Sequence, residues 1–184
     1  AAPGGAAPAN GSGPAAGRPR AGQGPPAPDL SGLMYPDILY DAIVPPGRRL
    51  DREHLMQIPL LYAEGLAKGD GSIPPFGPRC DRWAAGGRKL TNNPSARGGA
   101  ITCAMAVDGM KRIPGRAVLN RRVVVVDVPH GIAVGMFVVA FSIGGRQFAQ
   151  NTGEIFKVVD GRIRSIEEFG GPGRVTAAAG DPAQ

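Results

Sequence analysis

The sequence predicts an α+β fold in which helices come first and an antiparallel β-meander follows. Three observations support this class. Apolar residues recur at helical spacing within 55–66, and two long segments rich in β-branched residues follow at 117–128 and 132–143. The dipeptide Asp160-Gly161 then separates two short strand-like segments, which is a strong hairpin signal.

The N-terminal segment differs from the rest of the chain in composition. Residues 1–30 contain 23 alanines, prolines and glycines, and Leu30 is their only other aliphatic residue. Such a segment cannot bury enough apolar surface to offset its ordering entropy, so we predict that it is disordered. The expected organisation is this tail, a lead-in segment at 31–50, a folded domain at 51–170 and a flexible C-terminus at 171–184.

The first clear helix is predicted to begin after Asp51, which is a good N-cap residue. Its apolar face consists of residues three, four and four positions apart: Leu55, Ile58, Tyr62 and Leu66. Pro59 lies within this pattern and is expected to kink the helix. Gly69 opens the Gly-Asp-Gly sequence that should end it.

The middle of the chain is rich in loop-forming residues. Residues 72–99 predict a loop with a short strand at 82–84, and residues 100–110 predict a short helix. The segments 117–128 and 132–143 then predict the first two strands of the meander. The hairpin described next completes four consecutive antiparallel strands.

The hairpin around 160–161 raises the main functional question. If strands Ile155–Val159 and Arg162–Ile166 pair directly from a two-residue turn, Glu154 lies opposite Glu167 on the more apolar face. Burial of two facing carboxylates raises at least one pKa, which is one way to make a general acid/base. The hypothesis is therefore a proton-transferring pair.

Two structural explanations for these glutamates remain open. They can lie at a solvated strand end, or they can be neutralised by Arg121 or Arg122. Asp127, near the end of another predicted strand, is a further candidate base, although acids at strand ends are usually solvated.

Composition argues against several functions. The net charge is +6, but no Lys/Arg run exceeds two residues and aromatic residues make up only 5% of the chain, so nucleic-acid binding is not favoured. No apolar run is long enough for a transmembrane helix. The two histidines, His54 and His130, are far apart in sequence and no Cys-x-x-Cys motif occurs, so we expect no metal and no cofactor.

The order of elements resembles the nuclear-transport-factor-2-like superfamily, which includes SnoaL-like polyketide cyclases and steroid isomerases. Three stretches carry the resemblance: "LYAEGLAKGD" at 61–70, "PFGPRCDRW" at 75–83 and "EIFKVVDGRIRSIE" at 154–167. The resemblance implies a curved antiparallel sheet that N-terminal helices wrap into a cone, the cystatin-like architecture. It also implies one apolar pocket.

A narrower resemblance is to an uncharacterised and often secreted fungal and bacterial branch of that superfamily. The matching residues are Cys80, Arg82, Gly86, Asn92 and Cys103. This match implies a Cys80–Cys103 disulfide, whereas cysteine counting alone leaves a disulfide and two free thiols equally open. A disulfide implies an oxidising compartment, so we expect a secreted or periplasmic protein, with a cytoplasmic location as the alternative. Ala84 and Ala85 replace the Glu-Asn pair of the branch.

The superfamily resemblance also implies roles for individual residues. Tyr62 falls where steroid isomerases place a hydrogen-bonding tyrosine, although it can equally be a core aromatic residue. The catalytic base of those enzymes falls at Ala84, which cannot accept a proton. Any base must therefore come from elsewhere, and the candidates are Glu154, Glu167 and Asp127. Arg82 shares the strand parity of Ala84 and can serve as an anion clamp or a structural ion pair.

The expected partner is a small hydrophobic molecule. The candidate binding residues are Arg82, Trp83, Asn92, Phe137 and Phe156. We expect a binding domain without assured catalysis, and the alternative is a lyase or isomerase that uses acid/base chemistry on a small hydrophobic substrate. Apolar residues at 123–126 and 137–141 also make a homodimer through the sheet possible.

Overall fold

The computed structural model of the protein describes residues 38–84, 87–94 and 99–171. The helices and strands, in chain order, are α1 (Ile38–Asp41), α2 (Arg52–Lys68), β1 (Phe76–Ala84), β2 (Arg88–Lys89), α3 (Cys103–Asp108), β3 (Ala117–Asp127), β4 (Ile132–Ile143), β5 (Arg146–Val159) and β6 (Arg162–Gly171). Short 3₁₀ helices occur at Pro46–Arg48 and Gly109–Arg112. The α+β class is confirmed, and the predicted disordered tail at 1–30 lies outside the described residues. None of the helices in the described ranges has the length and apolar content to cross a bilayer.

The strands form one six-stranded mixed sheet in the order β2-β1-β6-β5-β4-β3. The antiparallel pairing of β3, β4, β5 and β6 in sequence order confirms the predicted meander. Strand β1 is longer than expected and pairs in parallel with β6. This parallel pairing brings the loop-rich middle of the chain beside the C-terminal hairpin.

Helix α2 packs on one face of the sheet, mainly against β3 and β4. Its N-cap is Asp51, whose side chain accepts a hydrogen bond from the His54 backbone N–H at 2.8 Å. Its predicted apolar face is confirmed, because Leu55, Ile58, Tyr62 and Leu66 are all buried. Pro59 lies inside α2, and the helix continues through it. Gly69 ends the helix in the left-handed conformation, with φ of 65°.

The C-terminal hairpin contains a β-bulge that the sequence pattern did not predict. The turn at 160–161 is confirmed, and both its residues have positive φ angles, 54° and 68°. Pairing proceeds from the turn as far as Val158 opposite Ile163. The next pair is Lys157 opposite Ser165, so β6 carries one extra residue at this point.

The bulge changes which glutamates face each other. The expected pairing of Glu154 with Glu167 is wrong, because the extra residue places Glu168 opposite Glu154. Glu167 instead lies opposite Ile155, on the other face of the sheet. A one-residue shift reverses the face of every residue that follows in a strand.

The described part of the lead-in segment, residues 38–50, lies against the face of the sheet opposite α2. The ammonium group of Lys157, which is buried, donates to the backbone carbonyls of Ala42 at 2.5 Å and His130 at 2.6 Å. The Tyr40 hydroxyl donates to the Ile155 carbonyl at 3.3 Å. This part of the chain therefore supplies hydrogen-bond partners for polar groups of β5.

The Cys80–Cys103 disulfide is confirmed, and both of its residues are buried. It joins β1 to the first residue of α3. The buried Thr91 side chain lies beside it, accepting a hydrogen bond from the Arg82 backbone N–H at 2.8 Å and donating to the Cys80 carbonyl at 3.2 Å. The disulfide thus fixes α3 against the strand that carries Arg82.

Candidate functional site

A cavity of about 590 Å³ lies between the sheet, α2, and the α3 segment with its following 3₁₀ helix. One part of its lining is apolar and comes from α3, the following turn and the second half of β4: Ala106, Val107, Met110, Ile113, Val139 and Phe141. The other part is polar and comes mainly from α2, β1, β5 and β6. The cavity therefore combines an apolar wall with a polar wall.

The polar wall is built around a single guanidinium group. Arg82 Nη2 donates to Glu154 Oε1 at 3.0 Å and to Glu168 Oε2 at 2.8 Å. The Tyr62 hydroxyl donates to Glu154 Oε1 at 3.3 Å, and Gln150 Nε2 donates to Glu168 Oε1 at 2.9 Å. We call these five residues the Arg82 cluster.

Strand pairing explains why these side chains meet. Arg82 in β1 pairs with Ile166 in β6, so it points to the same face as Glu168, two residues further along. Glu154 lies opposite Glu168 in β5. Tyr62 reaches them from the buried face of α2. The bulge in β6 is essential, because without it Glu168 would face away from the cavity.

Burial differs sharply within the cluster. The side chain of Glu154 is fully buried, whereas those of Arg82 and Glu168 keep 19% and 14% of their surface exposed. Arg82 and Glu168 are thus the more accessible of these residues, although Tyr62 and Glu154 also line the cavity. Glu154 Oε2 and Arg82 Nε are buried and lack a hydrogen-bond partner among the described residues.

The electrostatics of the cluster follow from this burial. Burial raises the pKa of Glu154 above its ordinary value, and the nearby guanidinium of Arg82 offsets this only in part. Burial also raises the pKa of Tyr62, so the phenol keeps its proton and acts as a donor. Burial tends to lower the pKa of Arg82, but the two carboxylates outweigh it, raise the pKa, and keep the guanidinium charged.

Three predicted site residues come together here: Tyr62, Arg82 and Glu154. The Tyr62 ring packs in the core, 5.1 Å from that of Phe156, and its hydroxyl donates to Glu154. Arg82 takes part in buried ion pairs, which matches the structural alternative to an anion clamp. Glu167 lies on the opposite face of the sheet.

Asp127 and Asn92 lie elsewhere: Asp127 stabilises the turn between β3 and β4, and Asn92 is hydrogen-bonded to β1. Asp127 accepts from the His130 backbone N–H at 3.1 Å and contacts its ring nitrogen at 2.9 Å. The backbone hydrogen bond lowers the pKa of Asp127, which disfavours a role as proton acceptor. Asn92 Nδ2 donates to the Cys80 carbonyl at 2.8 Å and to Asp81 Oδ1 at 2.9 Å.

The predicted aromatic binding residues belong mostly to the core. Phe137 and Phe156 are buried beside Tyr62, with ring centroids 6.2 and 5.1 Å from its own. The Trp83 ring lies beneath the Lys89 ammonium group, at 5.3 Å from the ring centroid. Adjacent residues in a strand point to opposite faces, so Trp83 faces away from the Arg82 cluster.

Sequence reasoning missed Glu168, because strict alternation assigned it to the charged outer face. One signal could have found it. Ile163 and Ile166 are three positions apart, and both are fully buried, together with Phe156 opposite Ile166. Two apolar residues at this spacing can share a face of a strand only if a bulge lies between them.

The suggested neutralising residue Arg121 pairs instead with Glu64 of α2, at 2.5 Å.

Several solved structures are similar to the chain. A protein of unknown function with a cystatin-like fold from Methylobium petroleophilum PM1 has a TM-score of 0.50 and 17% identity, covering 71% of this chain and 84% of its own. AusH from Aspergillus nidulans has a TM-score of 0.49 and 14% identity, covering 66% and 86%. TsrD from Streptomyces laurentii has a TM-score of 0.48 and 18% identity, covering 65% and 90%. The first of these likenesses supports the cystatin-like fold.

Sequence comparison gives a family but no characterised relative. No curated protein matches the chain. A family model described as "Domain of unknown function (DUF8021)" matches residues 48–170, which include every residue of the Arg82 cluster. The chain therefore belongs to the family of the domain of unknown function DUF8021.

Proposed function

We propose that this domain binds a small, largely apolar molecule in the cavity, with the polar end of the molecule against the Arg82 cluster. The observation that carries the proposal is the cavity itself, with about 590 Å³ of space between an apolar wall and a hydrogen-bonded polar wall. Ligand pockets typically have about 300–1,000 Å³, a mainly apolar lining and a few placed polar groups.

The two walls would have different tasks. Apolar surface that leaves water on binding supplies most of the affinity, at about 25 cal/mol per Å². The Arg82 cluster would orient the molecule, because Glu168 and Arg82 present fixed acceptor and donor atoms. Their positions are held by Gln150 and Glu154, so little ordering of side chains is needed on binding.

Occlusion of the apolar wall should abolish binding of a neutral apolar probe. We expect N-phenyl-1-naphthylamine to bind the wild-type domain with increased fluorescence, and Ala106→Phe to weaken this binding by roughly tenfold or more, since the new ring occupies the cavity. Met105→Phe, on the same helix but at a half-exposed side chain, is the matched control and should leave binding unchanged.

A second variant keeps this test decisive if Ala106→Phe does not fold. Val139→Phe enters the same cavity from β4, and it should weaken dye binding in the same way. Dye binding that persists in both folded variants, or that is absent from the wild-type domain, would contradict the proposal.

An acid/base enzyme of the lyase or isomerase type is the second candidate. One observation favours it: a fully buried glutamate with a raised pKa lies next to a second carboxylate that faces the cavity. Glu168 would contact the substrate and accept a proton, while Glu154 and Tyr62 would set its charge environment. Enzymes commonly use paired carboxylates for such proton transfer.

The titration of Glu154 tests this candidate. We expect one glutamate carboxyl to titrate above the ordinary range near 4.3 because burial disfavours its charged form. Carbon-detected NMR would follow the side-chain carboxyl signals with pH, and Glu154→Gln should remove the shifted signal alone. If every glutamate titrates in the ordinary range, the acid/base candidate is lost and the binding proposal stands by itself.

We also propose a secreted or periplasmic location and a homodimer through the sheet. The Cys80–Cys103 disulfide supports the first, because disulfides persist in oxidising compartments. The half-exposed Val124 and Val125 on β3 support the second. The proposed ligand site does not depend on either.

A further inference from the structure

We infer that the cavity selects an apolar molecule whose polar end donates a hydrogen bond without carrying negative charge, such as a hydroxyl or an ammonium group. Carboxylates of the same size would be rejected. This inference rests on the proposed function and adds the chemical class of the ligand.

The charge of the polar wall is the first step. One guanidinium, from Arg82, stands against two carboxylates, from Glu154 and Glu168. The net charge of the three groups is −1 when both carboxylates are ionised, and it is zero when they share one proton. In neither state does the wall offer a positive charge to an incoming anion.

The hydrogen-bond inventory points the same way. Arg82 Nη2 already donates to both carboxylates, so this donor is used within the protein. Each oxygen of Glu168 accepts one hydrogen bond, from Arg82 or from Gln150, although a carboxylate has about four acceptor sites. Glu154 Oε2 has no partner among the described residues. Arg82 Nε also lacks a partner among the described residues but is buried, whereas the partly exposed Glu168 carboxylate keeps free acceptor sites.

A donor group can use the free acceptor sites of Glu168, whereas an anion cannot. A hydroxyl or ammonium group beside Glu168 supplies a hydrogen bond to the partly exposed carboxylate. A ligand carboxylate would add acceptor oxygens beside two others in a cavity of low effective dielectric, where repulsion between like charges is strong.

Arg112 is the cation that could reverse this preference. It lines the cavity from the 3₁₀ helix after α3, and its side chain is exposed. Ion pairs at exposed positions contribute little to binding because water and salt screen them. A carboxylate held at Arg112 would thus gain little in comparison with a donor group at Glu168.

Three probes that differ only in their polar end test the inference. Decan-1-ol, decylammonium and decanoate would compete with N-phenyl-1-naphthylamine for the wild-type domain at about pH 7.5, where decanoate and decylammonium are both charged. We expect decan-1-ol and decylammonium to displace the dye, and decanoate to need a concentration roughly tenfold higher or more.

A pair of isosteric variants identifies the cause. Glu168→Gln removes one negative charge from the wall, so the discrimination against decanoate should shrink by about tenfold. Glu167→Gln, on the opposite face of the same strand, is the matched control and should keep the wild-type order of affinities.

The possible outcomes separate the two proposals. If the dye and decan-1-ol bind and decanoate binds equally well, the inference is overturned and the proposed function survives. If Arg112→Gln then abolishes the binding of decanoate, the carboxylate of decanoate is held by the exposed Arg112. If neither the dye nor any probe binds, the proposed function fails and takes the inference with it.

Discussion

Replacement of Arg82 by methionine is expected to destabilise the protein by about 3 kcal/mol at about pH 8. Arg82 is the cation that faces the fully buried Glu154, through a contact of 3.0 Å. Without it, the folded protein must either bury an unpaired carboxylate or keep that carboxylate protonated. Urea unfolding of the wild type and the variant would measure the difference.

The loss should depend on pH in a definite direction. Burial already raises the pKa of Glu154 in the folded state, and removal of the Arg82 charge raises it further. At a pH between the folded-state pKa values of Glu154 in the wild type and in the variant, the folded variant binds a proton that the folded wild type does not. The free energy of unfolding of the variant, relative to that of the wild type, therefore falls by about 1.4 kcal/mol per pH unit as the pH rises. The cost of the substitution is therefore smallest in acid.

Two controls make this result specific. Arg79→Met changes an exposed residue on the same strand and should alter stability by no more than about 0.5 kcal/mol. Adding Glu154→Gln to Arg82→Met removes the unpaired charge, and it should recover part of the loss and abolish the pH dependence. A loss below about 1 kcal/mol that does not change with pH would show that the pair contributes little.

Removal of the Cys80–Cys103 disulfide is expected to lower stability by about 3 kcal/mol, which corresponds to a fall in melting temperature of roughly 10 °C. The bond spans a sequence separation of 23 residues and thus restricts the unfolded chain. It also holds α3, part of the apolar wall, against β1. Binding of N-phenyl-1-naphthylamine should weaken in the same variant.

Reductant supplies the matched control for this second prediction. Wild-type protein unfolded and refolded in dithiothreitol should melt like the Cys80→Ala/Cys103→Ala variant, and reductant should have no effect on the variant itself. An unchanged melting temperature under both treatments would contradict a stabilising role for the bond.

The local parts of the fold could be predicted because their causes are local. Asp51 and Gly69 cap α2 through their own conformations and side chains, and the turn at 160–161 follows from residues that accept positive φ angles. The parallel pairing of β1 with β6 joins segments about eighty positions apart, such as Arg82 and Ile166. No pattern within either segment specifies that partner.

The candidate site was predictable only to the extent that its geometry is local. Tyr62 was found because helical spacing places it on the buried face of α2. Glu168 was missed because a single extra residue in β6 exchanges it with Glu167, and strict alternation assumes that no such residue exists. The Arg82 cluster forms where three segments that are distant in sequence meet, and no short sequence pattern specifies such a meeting.

The lead-in segment bears on where the domain can be cut. The family match begins at residue 48, yet Lys157 is buried beneath backbone carbonyls that include that of Ala42. A shortened protein that starts at residue 48 would lose this acceptor together with the contact of Tyr40. The face of β5 that carries Lys157 would also lose the residues that cover it. Expression boundaries for this family are therefore better drawn at about residue 38, where helix α1 begins, than at the edge of sequence similarity.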